Sequence, residues 1–250
     1  MSAPLLQLSD VTKSFGGIKA LSGLSCEVRQ GQIVGVIGPN GAGKTTLFNV
    51  ITGAYRANGG DVHFDQQPIT QWRPYRIARA GAVRTFQNIR LFSSMTVWEH
   101  LLVAQPGQGA LWRRALPTNW ADRAAIARAE EVLEFFGLQD VRNQSARSLS
   151  YGTQRKVEMA RALTANPRLL LLDEPVAGMN HDEAEDIRRL MLRLRDGGLT
   201  ILLIEHDMSF VMNLCDYLYV LDFGVLIAKG LPAEIQSDPI VMDAYLGKEA

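Results

Sequence analysis

Residues 38–45 are Gly38-Pro39-Asn40-Gly41-Ala42-Gly43-Lys44-Thr45, and they match the P-loop pattern G-x-x-x-x-G-K-S/T at every fixed position. The apolar, β-branched run 32–37 before them predicts a buried strand. Residues 45–52 after them predict a helix, and Gly53 fits the C′ position that ends it. A strand, a glycine-rich turn and a helix start, in this order, are the context that the pattern requires.

This turn predicts a site for phosphate groups. Glycines let the backbone wrap closely round an anion with its N–H groups pointing inward, and the helix start adds a favourable dipole. We expect Lys44 to reach the β- and γ-phosphates and the Thr45 hydroxyl to ligate Mg²⁺, with Thr46 also among the nucleotide-binding residues. The alternative is a chance glycine-rich turn between a strand and a helix.

Composition limits the possible functions. The 250 residues include 26 basic and 26 acidic side chains, so the chain lacks the strong positive field on which many nucleic-acid-binding proteins rely. No run approaches 18 apolar residues and the N-terminus lacks a signal peptide, so we expect no transmembrane helix, and any work at a membrane needs another chain to span it. Cys26 and Cys215 belong to no CxxC or Cys/His cluster, which favours buried structural thiols and a reducing compartment.

Alternating apolar residues predict an antiparallel hairpin over residues 5–31. Phe15 lies between its two strands, beside Gly16 and Gly17. A phenylalanine at a strand end can belong to the core, and it can also offer a face on which a purine base stacks. The residue type by itself favours the core.

A mostly helical insertion is predicted for residues 90–165. Thr96 to Glu99 form a capping box that opens a helix, and a longer helix is predicted over 122–136. Residues 106–117 between them are an irregular segment. The arginines and tryptophans near 112–120 either contact a membrane or another subunit, or belong to a solvated loop.

Two further positions have both a structural and a functional interpretation. Gln87 ends a predicted strand over 82–86, where it could cap a turn, ligate Mg²⁺ or orient a water molecule. Ser150-Tyr151-Gly152 stands at the start of a helix predicted from about Thr153 to Ala165. The serine can simply cap that helix, or the helix start can bind an anion.

Two carboxylates follow a run of four leucines, 169–172, that predicts a strand buried on both faces. Ligands bind at the carboxyl ends of such strands, so Asp173 is expected near the Mg²⁺ shell and Glu174 as general base or positioner of the attacking water. Plain turn residues are the alternative. His206 follows the buried strand 200–204, where it could contact a γ-phosphate or act as a structural hydrogen-bonder.

The order of these motifs resembles the nucleotide-binding subunit of ABC transporters across essentially the whole chain. In that family they are the Walker A (38–45), Q-loop (Gln87), signature (Ser150-Tyr151-Gly152), Walker B (Asp173-Glu174) and H-loop (His206) elements. Phe15 matches the adenine-stacking aromatic residue of the A-loop. The resemblance implies an α/β fold: a P-loop NTPase core with an N-terminal antiparallel β-subdomain and an inserted α-helical subdomain.

The resemblance also implies a domain division and residue roles. Residues 1–250 form one ABC ATPase domain, in which 1–89 and 166–250 make the RecA-like core plus β-subdomain and 90–165 the helical subdomain. The implied catalytic residues are Glu174, His206 and Lys44. The implied metal ligands are Thr45, Gln87 and Asp173.

Some segments look most like the LivG-type cassette of branched-chain amino-acid importers: Arg84-Thr85-Phe86-Gln87-Asn88-Ile89-Arg90-Leu91-Phe92, Ser150-Tyr151-Gly152 and Ile204-Glu205-His206-Asp207-Met208. The signature departs from the commonest LSGGQ at Tyr151 and Thr153 but keeps Ser150 and Gly152. Asn180 stands where the D-loop usually has aspartate.

The resemblance implies ATP and Mg²⁺ as ligands and a second cassette that supplies its signature in trans. It implies two transmembrane permease subunits, an indirect role for a solute-binding protein, no nucleic acid, and a peripheral place on the cytoplasmic face of the inner (plasma) membrane. An exporter cassette of the lipopolysaccharide-transport type, a soluble non-transport ABC ATPase and a P-loop kinase are the alternatives.

Overall fold

The computed structural model describes residues 3–105 and 120–246. In chain order its strands are β1 (Leu6–Phe15), β2 (Ile18–Val28), β3 (Ile33–Ile37), β4 (Gly59–Phe64), β5 (Gln67–Pro68), β6 (Ala82–Arg84), β7 (Leu169–Asp173), β8 (Thr200–Ile204), β9 (Tyr217–Asp222) and β10 (Val225–Gly230). Its helices are α1 (Lys44–Ile51), α2 (Pro74–Arg79), α3 (Val97–Val103), α4 (Trp120–Phe135), α5 (Tyr151–Leu163), α6 (His181–Asp196), α7 (Met208–Leu214), α8 (Pro232–Gln236) and α9 (Pro239–Leu246).

A six-stranded sheet in the order β10-β9-β3-β8-β7-β6 forms the centre of the molecule. Neighbours from β9 to β6 are parallel, whereas β10 pairs antiparallel with β9. Strands β3, β7 and β8 are buried along their whole length, as their continuous apolar runs predict. Parallel strands end at one edge of a sheet, so the segments that follow these three strands come together there.

Successive side chains of these strands enter two separate cores, because they point to opposite faces of the sheet. Ile33 and Leu170 pack on the side covered by helices α3 to α7. Val34 and Leu171 pack on the other side, with α1 and strands β1, β2 and β4. The carboxyl edge of the sheet therefore rests on apolar packing from both faces.

The predicted N-terminal hairpin is confirmed. β1 pairs antiparallel with β2, with Leu6 opposite Val28 and Phe15 opposite Ile18. β4 pairs antiparallel with the other edge of β1, and β5 completes this second sheet. The four strands cover the face of the central sheet that also carries α1.

Three helices, α3 to α5, lie within the segment 90–165, while the division of the chain at these residues stays a prediction. The capping box at the start of α3 is confirmed. Helix α5 begins at Tyr151, two residues earlier than predicted. The interpretation of Ser150 as its N-cap is confirmed, since the serine side chain accepts a hydrogen bond from the Thr153 N–H. The irregular segment predicted at 106–117 and the side chains at 112–120 lie outside the described residues.

The prediction of two buried thiols holds for Cys215 but is wrong for Cys26, which is half-buried. Cys26 lines an open groove with Tyr217 and Tyr219, between β2 and β9. Desolvation nevertheless raises the pKa of the Cys26 thiol to about 12. Desolvation raises the pKa of the Cys215 thiol too, so both residues are inert thiols rather than reactive thiolates.

His100 on α3 is a completely buried histidine that ties the segment after Gln87 to the helical layer. Its Nε2 accepts a hydrogen bond from the Phe92 N–H at 2.9 Å, and its Nδ1 lies 2.8 Å from the Thr96 carbonyl oxygen. The first nitrogen must be unprotonated to accept, so the ring is neutral with its proton on Nδ1. Burial lowers the pKa of His100 below its ordinary value of 6.5.

This burial predicts a pH dependence of stability. Because the folded pKa is lowered, the stability linked to His100 is present above pH 6.5 and is lost as the pH falls below it. His100→Gln should flatten the fall of the unfolding free energy between pH 7.5 and 5.5, by at most about 1.4 kcal/mol per pH unit for one proton. Urea unfolding at both pH values measures this, with exposed His181→Gln as the control. An equally steep fall in His100→Gln and in the unmodified chain contradicts the assignment.

Candidate nucleotide site

The P-loop leaves the carboxyl end of β3 and enters α1 at Lys44. Its glycines Gly38, Gly41 and Gly43 have φ angles of 147°, 83° and 99°. A Cβ on Gly38 would lie 2.0 Å from the Leu221 carbonyl oxygen, and one on Gly43 would lie 2.5 Å from that of Ala20. Only glycine fits Gly38 and Gly43, because both the backbone angle and the space exclude a side chain.

The Lys44 ammonium group lies over the loop that precedes it. Its Nζ donates to the carbonyl oxygen of Gly38 at 2.6 Å and to that of Pro39 at 3.0 Å. Helix α1 has no acidic residue in its first turn and no side-chain cap at Gly43. Helix N–H groups and a lysine ammonium therefore converge on one turn, and such a turn binds phosphate.

Asp173, the last residue of β7, is buried in an ion pair that the sequence did not reveal. Arg84 at the end of β6 donates from Nη2 to Asp173 Oδ2 at 2.7 Å. Its Nη1 donates to the side-chain oxygen of Asn49 on α1, also at 2.7 Å. The guanidinium carbon lies 5.4 Å from the ring centroids of both Phe48 and Phe86. Arg84 thus joins two strand ends to the P-loop helix and fixes the orientation of the Asp173 carboxylate.

Three of the predicted site residues meet at Glu174. The amide Nε2 of Gln87 donates to Glu174 Oε2 at 2.7 Å, and the His206 Nδ1 lies 3.8 Å from Glu174 Oε1. The Glu174 N–H donates to the carbonyl oxygen of Ile204 at 2.9 Å. Glu174 has a φ of 47°, a left-handed conformation that costs a non-glycine residue about 1 kcal/mol or more. Such strain is common where a structure positions a reactive side chain.

Glu205, for which no role was predicted from the sequence, holds the backbone on either side of this arrangement. It is 1% exposed, and its two carboxylate oxygens accept hydrogen bonds from the N–H groups of Val176 and His206, at 3.0 and 3.2 Å. Burial raises the pKa of the Glu205 carboxyl, although both hydrogen bonds favour its charged form. Glu205 therefore ties the loop after Glu174 to the start of the His206 loop. The sequence signal that could have identified Glu205 is its place directly after a buried strand, the same position that Asp173 and Glu174 take at the end of theirs.

The core interpretation of Phe15 is wrong, because its side chain is 43% exposed at the end of β1. Its ring meets that of Tyr55 edge-on, with 5.1 Å between the centroids. The Lys13 ammonium lies 4.9 Å from the centroid of the Phe15 ring. An exposed aromatic face of this kind is available for stacking.

The predicted signature residues begin helix α5. Ser150 and Tyr151 are exposed, whereas Gly152 is buried. A Cβ on Gly152 would lie 2.7 Å from Oε1 of Glu183, and Glu183 forms a capping box with Asn180 at the start of α6. The first turns of α5 and α6 therefore lie side by side, and α5 has no acidic residue in its own first turn.

The side chains expected to hold Mg²⁺ offer only oxygen ligands: the Thr45 hydroxyl, the Gln87 amide and the Asp173 carboxylate. Thr45 is exposed in the first turn of α1, and Asp173 is tied to the same helix through Arg84. Within the described ranges, no cluster of three or more histidine, cysteine, aspartate or glutamate side chains could cage a metal ion. These few hard ligands fit Mg²⁺, which usually completes its shell with phosphate oxygens and water.

Comparison with known proteins agrees with this geometry. A family model described as ABC transporter matches residues 21–177, more than half of the chain. The chain belongs to the ABC transporter family. It is an ATP-binding cassette. Members of this family hydrolyse ATP, so the predicted ATPase class is confirmed. A second model, described as branched-chain amino acid ATP-binding cassette transporter, matches residues 225–250.

Relatives match the cassette over nearly its whole length. The Pseudomonas aeruginosa high-affinity branched-chain amino acid transport ATP-binding protein BraF is 43% identical over 99% of this chain and 100% of its own. The corresponding LivG protein of Salmonella typhimurium is 45% identical over the same shares. A crystal structure of an ABC transporter cassette in its ADP conformation has a TM-score of 0.88 and 36% identity, and covers 99% of this chain and 100% of its own. The predicted family and α/β cassette fold are confirmed.

Removing the Glu205 carboxylate should loosen both loops at the site. Glu205→Ala leaves the Val176 and His206 N–H groups without their acceptor, so we expect the unfolding free energy to fall by about 2 kcal/mol. Glu205→Gln is the matched control, because its single amide oxygen still accepts one of the two hydrogen bonds and the loss should be smaller. Urea unfolding measures both variants. Equal stabilities of Glu205→Ala and the unmodified cassette exclude this support role.

Proposed function

We propose that the cassette is the ATP-hydrolysing, energy-coupling subunit of an ABC importer for branched-chain or other hydrophobic amino acids. Hydrolysis rests on one observation: Gln87 and His206 both approach the Glu174 carboxylate at the sheet edge that carries the P-loop. The class of transported solute is inferred from the relatives. These are branched-chain amino acid transport ATP-binding proteins, and the cassette matches them over their full length.

Each residue has a distinct task in this proposal. Glu174 takes a proton from a water molecule whose oxygen attacks the γ-phosphorus of ATP, and the bond from that phosphorus to ADP breaks. Gln87 orients the carboxylate and the water, and His206 contacts the γ-phosphate. Lys44 exchanges its two carbonyl contacts for phosphate oxygens. Bound Mg²⁺, held by Thr45, Gln87 and Asp173, would supply positive charge against the phosphates.

The remaining residues of the proposed site bind and enclose the nucleotide. The exposed ring of Phe15 stacks on adenine, and the backbone of residues 38–46 surrounds the phosphates. A second cassette, identical or paralogous, packs head to tail and places its exposed Ser150-Tyr151-Gly152 helix start on the γ-phosphate. ATP then holds the two copies together, and hydrolysis releases them because it separates charge and frees a phosphate.

Two transmembrane permease subunits are the other proposed partners, and a solute-binding protein acts indirectly through them. Phe86 and Phe92, which flank Gln87 in sequence, are 38% and 59% exposed and offer the permease an apolar contact. The proposed place is the cytoplasmic face of the inner (plasma) membrane. Among the described residues, no helix combines the length and apolar character needed to cross a bilayer. The balanced charge supports the absence of nucleic acid from the partners.

Glu174→Gln tests the proposed activity. The amide cannot take the proton from water, so ATP turnover should fall by about 100-fold or more while ATP binding is retained. In cells whose own cassette is replaced by this variant, uptake of labelled leucine should stop. Lys44→Ala is the comparison variant, because it should weaken ATP binding itself. Full turnover in Glu174→Gln would refute the role of Glu174, and normal leucine uptake with abolished turnover would refute the transport assignment.

Ser150→Arg tests whether the signature acts in trans. The larger, charged side chain blocks the surface offered to the second cassette, so turnover should fall at least about 10-fold while ATP binding to isolated monomers stays unchanged. Ser237→Arg, at an exposed serine that ends α8, is the matched control and should hydrolyse ATP normally. Nucleotide binding by fluorescence and turnover by phosphate release measure the two effects. Normal turnover in Ser150→Arg contradicts the shared site.

A further inference from the structure

Arg155 lies one turn beyond the signature residues on α5 and belongs to none of the motifs described above. It is 0% exposed and is the largest fully buried side chain among the residues that the structure describes. Its partner on the same helix, Glu158, is also 0% exposed, with 2.8 Å between Arg155 Nη1 and Glu158 Oε2. A buried ion pair adds little net stability compared with apolar packing, so its other contacts have to explain it.

Those contacts are with the backbone of the Q-loop. Arg155 Nη1 donates to the Phe86 carbonyl oxygen at 3.0 Å, and Nη2 donates to that of Gln87 at 2.8 Å. Nη2 also lies 3.3 Å from the Tyr151 hydroxyl, in the signature itself. One planar guanidinium therefore joins two consecutive Q-loop carbonyls to the start of the signature helix.

Glu158 and Arg161, also on α5, bind the backbone of the same loop at Arg90. Its Oε1 accepts a hydrogen bond from the Arg90 N–H at 3.3 Å, and Arg161 donates from Nη1 to the Arg90 carbonyl oxygen at 2.5 Å. The backbone from Phe86 to Arg90 is thus held by three side chains of α5. This loop lies between the end of β6 and the start of α3, where neither helix nor strand orders it.

The consequence for the site follows from Gln87. Its side chain is exposed and donates to Glu174 Oε2 at 2.7 Å, so its direction depends on how its backbone is held. A continuous series of hydrogen bonds then runs from the Arg155 guanidinium to the Gln87 carbonyl and from the Gln87 amide to the Glu174 carboxylate. A shift of α5 changes the position of the carboxylate through this series.

We propose that Arg155 is a positioning residue for ATP hydrolysis: it holds the Q-loop backbone so that Gln87 orients Glu174, and it makes that orientation depend on the position of the signature helix. The proposal rests on the proposed function, since it assigns Glu174 the catalytic role. Arg155 does not touch ATP. Its loss should therefore lower kcat and leave ATP binding at the P-loop intact.

The test removes the ion pair without leaving a buried charge. Arg155→Met/Glu158→Met keeps apolar volume and helix preference, so the full-length cassette should fold. We expect kcat to fall about 10- to 100-fold, with the dissociation constant for ATP within about 2-fold. If this variant does not fold, Arg155→Lys replaces it, because one ammonium pairs with Glu158 but cannot reproduce the planar set of donors. The same kinetic split is expected.

A second measurement separates positioning from simple packing. When the Arg155 substitution is added to Gln87→Ala, kcat should fall by less than about 2-fold below that of Gln87→Ala alone. The reason is that the side chain through which Arg155 acts is already absent. Lys156→Met, on the same helix and paired with Asp186 at the surface, is the matched control and should change neither kcat nor ATP binding. Unchanged kcat in the folded variant, or a fully multiplicative loss with Gln87→Ala, overturns the proposal. An unmodified cassette without ATPase activity would instead overturn the proposed function, and this inference with it.

Discussion

The site depends on the common edge at which the parallel strands of the central sheet end. β3, β7 and β8 are covered by apolar side chains on both faces, so their ends cannot shift against one another without opening a packed core. The P-loop, the Asp173-Glu174 pair and the Glu205-His206 pair leave these three neighbouring strands. The order of the strands in the sheet, rather than any property of the loops, therefore brings the P-loop and the two carboxylate-bearing segments together.

Buried charged side chains hold the loops that the sheet does not reach. Arg84 ties Asp173 to α1, Arg155 ties the Q-loop backbone to α5, and Glu205 ties the loop after Glu174 to His206. Each of them bonds to groups from at least two segments of the chain. Such groups are costly to bury, and a structure retains them where a defined geometry matters more than net stability. Here Arg84 contacts Asp173 directly, while Arg155 and Glu205 hold segments that adjoin or contact Glu174.

The signature helix α5 contacts two of the segments that adjoin Glu174. Arg155 links α5 to the Q-loop, while Gly152 lets α5 pack against Glu183 at the start of α6. Glu183 in turn caps α6 with Asn180, on the loop that follows Glu174. A displacement of α5 would reach Glu174 through the Q-loop and through this loop, because both are held by direct contacts. The contacts of α5 thus couple the surface proposed to meet a second cassette to the carboxylate proposed to activate water.

The sequence by itself determined the P-loop, the leucine strand with its two carboxylates, and the capping box at Thr96, because each is a local pattern in which neighbouring residues set the backbone. It did not reveal the roles of Arg84, Arg155 or Glu205, whose partners lie 89, 68 and 29 positions away. The sequence likewise placed Phe15 at the end of a strand but did not predict that its side chain is exposed. That exposure depends on how β1 ends beside Tyr55. Local spacing specifies secondary structure, but burial and ion pairing depend on which distant segments the order of the sheet places side by side.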